Sequence, residues 1–246
     1  MNTLFCFSYA GGVASDVYAG WGALLGPEFT VIPVDYPGRG TRHREPLAAT
    51  PLELVNDAAD VVRDHLISDE AWSVFGHSMG AMVAFEAARV LSGEPEQTKP
   101  KTVFLSGRRP PGDSPLTHLP ALDDDALMAT AETWGGIPPE FLARPHLQPL
   151  IVKKLRSDIA LSAHPALDLP HLECPLRVLS GTEDPLVDVS QLPRWADVTT
   201  QPVSIHLFEG DHFYFEEDVG DVVGVIRDAL TAGAPDSRRE PLPVLV

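Results

Sequence analysis

The sequence predicts an α/β fold: a doubly wound, mostly parallel β-sheet with one helical insertion. Three observations carry this expectation. Six short apolar runs recur along the 246 residues, helical patterns lie between them, and one long segment, 108–175, interrupts the alternation. The runs are TLFCFS (3–8), TVIPV (30–34), WSVFG (72–76), TVFLSG (102–107), LRVLSG (176–181) and VSIHLF (203–208). They are rich in Val, Ile and Phe without polar alternation, as expected of strands buried on both faces. Between them, PLELVNDAADVVRDHLI (51–67) lines up Leu54, Ala58, Val61, Val62, His65 and Leu66 on one stripe. MGAMVAFEAARVL follows Ser78, and GDVVGVIRDAL (220–230) closes the pattern. Strands alternating with helices build a parallel sheet covered on both faces.

The interrupting segment is itself helical in pattern. It contains DDDALMATAETW (123–134) and PHLQPLIVKKLRSDIAL (145–161), punctuated by Pro110, Pro111, Gly135, Gly136, Pro138, Pro139, Pro165 and Pro170. Its apolar residues Met128, Trp134, Ile137, Phe141, Leu150, Leu155 and Ile159 suit a lid over the strand ends. The expected organisation is a core of 1–107 and 176–233, a lid of 108–175 and a loosely packed tail of 234–246.

Hydrophobic residues make up 44% of the chain, enough for one sizeable core. Asp and Glu number 35 against 18 Lys and Arg, a net charge of −17, which argues against nucleic acid or an anionic membrane as partner. No apolar stretch reaches the roughly 18–20 residues of a membrane span. MNTLFCFSYAGG does not read as a secretion signal, so a cytoplasmic protein with Cys6 and Cys174 as reduced thiols is expected. The cations fall in groups: Arg39, Arg42 and Arg44; Arg108 and Arg109; Lys153, Lys154 and Arg156. Each group is either solvated surface charge or a landing patch for an acidic partner.

Chemistry concentrates at Gly76-His77-Ser78-Met79-Gly80. An apolar strand before it and a long helix after it predict a nucleophile elbow at Ser78 rather than a serine N-cap. A serine hydroxyl needs a base, and the base needs an acid to orient it. The strand-end loops supply both: TEDPLV offers Glu183 and Asp184, and EGDHFYFEED offers His212. Asp184-Pro185 opens a turn, which favours Asp184 over Glu183, and the chain order Ser, Asp, His fits the fold. His77 reads as a packing residue and His206 as a strand histidine of the core. Oxyanion donors are expected at the amides of Met79 and Ala10, the latter in a loop curled by Gly11 and Gly12. No phosphate-loop or dinucleotide pattern and no metal-ligand spacing occurs, so neither cofactor nor metal is expected.

With these motifs the chain resembles the type II thioesterases that accompany polyketide synthases and nonribosomal peptide synthetases. The resemblance is carried by FSYAGG (7–12), VDYPGRGTRHREP (34–46), FGHSMGAMVAFEAAR (75–89) and LSGRRPP (105–111), then by WGGIPPEFL (134–142), LRSDIAL (155–161), GTEDPLV (181–187) and GDHFYF (210–215). It implies the α/β-hydrolase fold, a triad of Ser78, Asp184 and His212, oxyanion amides at Ala10 and Met79, and a mobile lid at 108–175. Substrate contacts are expected at Tyr9, Met128, Trp134 and Phe213. The implied activity is hydrolysis of acyl groups from the phosphopantetheine arm of acyl or peptidyl carrier proteins, in editing stalled or mis-primed synthases. The implied enzyme is a monomer. A carboxylesterase, or an acyl transferase or cyclase, is the alternative. Ser8-Tyr9 stands where family members commonly carry a Pro-His or similar pair, and LRSDIALSAHP departs from the usual acidic-aromatic continuation.

Overall fold

All six apolar runs are strands in a computed structural model, which describes residues 2–66, 70–94, 99–112, 114, 116–135, 148–163, 167, 171–217 and 219–231. They are β1 (Asn2–Phe7), β2 (Phe29–Val34), β3 (Ala71–His77), β4 (Val103–Ser106), β5 (Leu176–Gly181) and β6 (Val203–Phe208). Their order across the sheet is β2-β1-β3-β4-β5-β6, with every pairing parallel. The winding reverses between β1 and β3, where a parallel sheet opens a crevice at its carboxyl ends. The register aligns Phe7 with Gly76 and His77 with Ser106, so β1, β3 and β4 finish level there.

Side chains alternate between the two faces of β1. Phe5 and Phe7 enter one core, Leu4 and Cys6 the other, and all four are fully buried. Helices α1 (Pro51–His65) and α2 (Met79–Ser92) cover the first face. The short helix Trp21–Leu25 and a C-terminal helix, Val219–Thr231, cover the second. Thr50 starts α1 by accepting a hydrogen bond from Glu53 N at 3.1 Å, and Pro51 supplies a preset first helical residue. The expectation of burial on both faces fails at the two outer strands. Ile205 and Leu207 of β6 are 38% and 51% exposed, and the middle of β2 is only partly buried, because each outer strand has a neighbour on one side only.

Between β4 and β5 the chain forms α3 (Asp124–Glu132) and α4 (Gln148–Ser162). Asp123 caps α3 by accepting from Ala126 N at 2.8 Å. Leu119, Leu127, Ala131, Val152, Leu155 and Ile159 join the two helices in a small core of their own, with Met128 and Trp134 packed against it. Leu150 is instead 62% exposed, on the outer side of α4. Ile137, Phe141 and the tail 234–246 lie outside the described residues. Both cysteines are buried and free, and burial pushes their thiols up, Cys174 to about 12. Among the described residues no helix is long and apolar enough to cross a membrane.

Helix α2 buries every residue except Val90 and Ser92. It lies so close to the sheet that a Cβ on Gly80 would fall 2.0 Å from the Phe7 carbonyl oxygen, and one on Gly76 would fall 2.0 Å from the Gly80 carbonyl oxygen. Both contacts are backbone and cannot swing aside. Gly80→Ala is therefore expected to destabilise the fold by about 3 kcal/mol or more, as an overpacked core does at its upper end. Urea unfolding monitored by circular dichroism measures it.

Candidate active site

Ser78 joins β3 to α2 with φ 55° and ψ −112°, and it is the one non-glycine residue of positive φ among the described residues. A serine held there costs about 1–3 kcal/mol and persists only where its surroundings fix it. They do so here: Ser78 N donates to Ser106 O at 2.8 Å, and Ser78 O accepts from Ala81 N at 3.1 Å. The side chain makes no capping bond to α2, so the N-cap reading does not hold. The hydroxyl is presented to the crevice, where Ser78 and His212 line the same two clefts.

His212 follows β6 and is buried to 3% exposure. Its Nδ1–H donates to Asp184 Oδ2 at 2.7 Å, and Leu186 N donates to the other carboxylate oxygen at 2.8 Å. The carboxylate is thereby fixed in plane and holds the imidazole in the tautomer whose Nε2 accepts a proton. Glu183, the neighbouring acid, is exposed. Beneath His212 lies His77, with ring centroids 4.8 Å apart. The Nδ1 of His77 bonds Ser106 Oγ at 2.8 Å, and Ser106 Oγ bonds the Tyr214 hydroxyl at 2.6 Å. Burial, and secondarily the nearby His212, holds His77 well below the usual imidazole range. It is a neutral partner beside the outer pair.

The loop after β1 turns at Tyr9-Ala10-Gly11-Gly12. Gly12 N donates to Tyr9 O at 3.0 Å, and Gly11 takes φ 83°, the left-handed third position of a type II turn. Its carbonyls are held from below: the Tyr18 hydroxyl donates to Phe7 O at 2.8 Å and the Tyr36 hydroxyl to Ser8 O at 3.0 Å. Ala10 lines a cleft together with Ser78 and His212. Met79 is the first residue of α2, where an amide has no acceptor inside the helix.

Two clefts meet at Ser78, Leu116, Leu186 and His212. One, about 650 Å³ including its mouth, runs between Met82, Phe85, Trp195 and the charged residues Glu86 and Arg108. The other, about 460 Å³, runs under the insertion between Tyr9, Trp134, Leu155, Ile159 and Phe213. Of the four substrate contacts expected from the sequence, Tyr9, Trp134 and Phe213 line this second cleft. Met128 does not join them; its side chain packs into the insertion's own core. The first cleft was not anticipated. Arg108 follows Gly107 at the end of β4, and that strand-end position is the signal that would have placed it in the site. Its guanidinium donates to Ser162 Oγ and Ser162 O, each at 2.8 Å, and burial lowers it to about 10, so it stays cationic at neutral pH.

Most cations of the groups read as either solvated charge or a landing patch are tied to acceptors within the chain. Arg39 is 3% exposed and paired with Asp158. Arg42 holds Asp57 at 2.6 and 2.7 Å and Glu45 at 2.5 and 2.9 Å. Arg109 donates to Leu186 O, and Arg156 to Asp124 and two carbonyls. In a chain this acidic, internal acceptors claim most of these cations; Arg44 and Lys153 remain exposed.

Comparison with known proteins agrees with this fold. The sequence model of the thioesterase domain matches residues 2–230. The chain is 34% identical to the thioesterase PikA5 of Streptomyces venezuelae over 245 residues, covering 96% of this chain and 84% of that protein. The structure is similar to ClbQ from the colibactin NRPS/PKS pathway, with TM-score 0.86, 29% identity and coverage of 93% and 96%. It is similar also to the type II thioesterase BorB from the borrelidin biosynthetic cluster, with TM-score 0.79, 29% identity and coverage of 93% and 92%. The chain belongs to the thioesterase domain family and is a thioester hydrolase of the α/β-hydrolase type.

Proposed function

We propose that this enzyme removes acyl groups from the phosphopantetheine arm of acyl or peptidyl carrier proteins, clearing stalled or mis-primed synthases, and that it works as a monomer in the cytoplasm. The observation that carries the reading is the buried Asp184–His212 pair beside the strained Ser78, at the junction of two clefts. One cleft is available to the acyl chain and the other to the arm. The relatives support the carrier as partner, because their names place them in polyketide and nonribosomal peptide pathways.

His212 takes the Ser78 proton as Oγ attacks the thioester carbonyl, and Asp184 stabilises the imidazolium that forms. The amides of Met79 and Ala10 receive the oxyanion, helped by the positive end of α2. Collapse of the tetrahedral species expels the pantetheine sulfur, which takes the proton from His212. Water then attacks the acyl-enzyme with His212 as base, and the free acid leaves. Helices α3 and α4 act as the lid in this scheme, roofing the second cleft and limiting the water that reaches the acyl-enzyme.

Release of acyl groups from an acylated carrier protein, with free thiol and product both quantified, tests the reading. Wild type is expected to give free acid, and Ser78→Ala to lose about 10⁴-fold or more in kcat. Activity surviving in Ser78→Ala sinks the nucleophile, while a lactone or a transferred acyl group keeps the nucleophile and replaces hydrolysis by cyclisation or transfer.

A second expectation concerns His77. Its folded-state pKa lies below the unfolded value of 6.5, so the unfolded chain takes up this proton first as pH falls. The associated stability is complete above pH 6.5 and declines below it, by about 1.4 kcal/mol per pH unit for one proton. His77→Asn should flatten the acid limb of the stability curve by that one proton, as measured by urea unfolding between pH 7 and pH 5.

A further inference from the structure

The loop that carries Ala10 is held from above as well as from below. Asp158, on α4, is 1% exposed, and its Oδ2 accepts from Gly11 N at 2.7 Å. Its two oxygens also accept from Arg39 Nη1 and Nη2, each at 2.6 Å. Arg39 comes from the loop after β2, where its guanidinium lies 5.2 Å above the Tyr36 ring, and its Nη1 reaches Gly12 O at 3.5 Å. Tyr36 in turn holds Ser8 O. Leu155, one turn before Asp158, faces Gly11, and Ala10 packs on the insertion's core. Ala10 is thus suspended between two anchors, Ser8 O tied to the β2 loop and Gly11 N tied to the insertion.

We propose that Asp158 is a positioning residue for the oxyanion site: the insertion helix fixes the Ala10 amide by accepting the neighbouring Gly11 amide, and the β2 loop secures Asp158 through Arg39. The assignment rests on the reading of Ala10 as an oxyanion donor. It follows from the chemistry of the loop. A glycine-rich turn has no side-chain packing to fix its own peptide planes, whereas an oxyanion donor must be preoriented before charge develops. A charged acceptor at 2.7 Å is a strong bond and needs its own counter-charge when buried. Arg39 supplies that charge with the bidentate geometry that only a guanidinium offers. Docking of α4 and completion of the oxyanion site are therefore one event.

Two variants separate positioning from mere stapling. Asp158→Asn keeps an oxygen for Gly11 N but leaves the buried Arg39 without its counter-charge, so it is the less stable. Arg39→Met with Asp158→Leu removes both charges, which folded proteins tolerate well, but leaves Gly11 N with no acceptor. The double variant is expected to melt near wild type, keep KM, and lose about 10- to 100-fold in kcat. Asp158→Asn should melt lower yet keep the higher kcat per titrated active site. Phosphonylation of Ser78 by a small fluorophosphonate, whose P=O oxygen occupies the same oxyanion site, should slow by the same factor in the double variant.

A folded double variant with wild-type kcat and phosphonylation rate overturns the proposal, as does a kcat that simply tracks melting temperature. If the wild type releases nothing from carriers while Ser78 is phosphonylated normally, the carrier reading fails, and the phosphonylation rates alone decide the role of Asp158.

Discussion

Backbone meets backbone where α2 leaves the sheet, and the site is built outward from that contact. Because Gly80 carries no side chain, the helix can rest against the Phe7 carbonyl, and because Gly76 carries none, the turn can close beneath it. Ser78 is forced to positive φ as the link between them. The strain of about 1–3 kcal/mol at one residue is small beside what holds it. Val83, Phe85 and Leu91 of α2 are each at most 2% exposed, and full burial of such side chains contributes roughly 1.5–3 kcal/mol apiece. The same contact brings the end of β1 beside the start of α2. The Ala10 loop thereby reaches the crevice that Ser78 faces.

Charge is distributed in a way that the net value of −17 conceals. Among the described residues three carboxylates lie buried against a basic partner: Asp184 with His212, Asp158 with Arg39, and Glu86 with Arg89. Buried pairs add little stability unless further hydrogen bonds satisfy their remaining atoms. Each of these carboxylates has such a bond: Leu186 N on Asp184, Gly11 N on Asp158 and Leu167 N on Glu86. For Asp158 and Glu86 the extra donor is a backbone amide from a distant segment, so these two ion pairs work as clamps on backbone. His77 is the contrast. It is buried without a carboxylate, Ser106 Oγ (itself bonded to the Tyr214 hydroxyl) satisfies one nitrogen, and desolvation keeps it neutral beside His212.

The sequence made legible whatever local patterning determines. Six apolar runs, the glycine-flanked serine and the strand-end Asp184 and His212 all stand where their spacing put them. Burial of the outer strands was not legible, because LRVLSG and VSIHLF look alike in composition while only one of them has neighbours on both sides. Which of the grouped cations face solvent was not legible for a related reason. Adjacent residues such as Arg42 and Arg44 share a stretch of chain, but Arg42 reaches Asp57 and Glu45 while Arg44 faces solvent. Asp158 was hidden by distance, its partner Arg39 lying 119 residues away. A single acid among the apolar residues of LRSDIAL was the available signal, since a lone carboxylate on a buried helix face requires a partner. PGRG and LRSDIAL were both noted as motifs, but nothing in one sequence says that they touch.

Anchored residues and cleft walls belong to different parts of the chain. Ser78, Asp184 and the Ala10 loop are anchored by backbone hydrogen bonds, an ion pair and glycine contacts, all of which tolerate little change. The cleft walls are of another kind. Leu116, Trp134 and Leu186 come from the insertion and from the loop after β5, and their side chains can be exchanged without disturbing the register of β1, β3 and β4. The charged residues Glu86 and Arg108 line one cleft and the aromatic trio Tyr9, Trp134 and Phe213 the other, so the two clefts differ in polarity. Asp158 lies on the one helix that both roofs the aromatic cleft and holds the Ala10 loop, so a change in the roof reaches the chemistry through that carboxylate and its two partners.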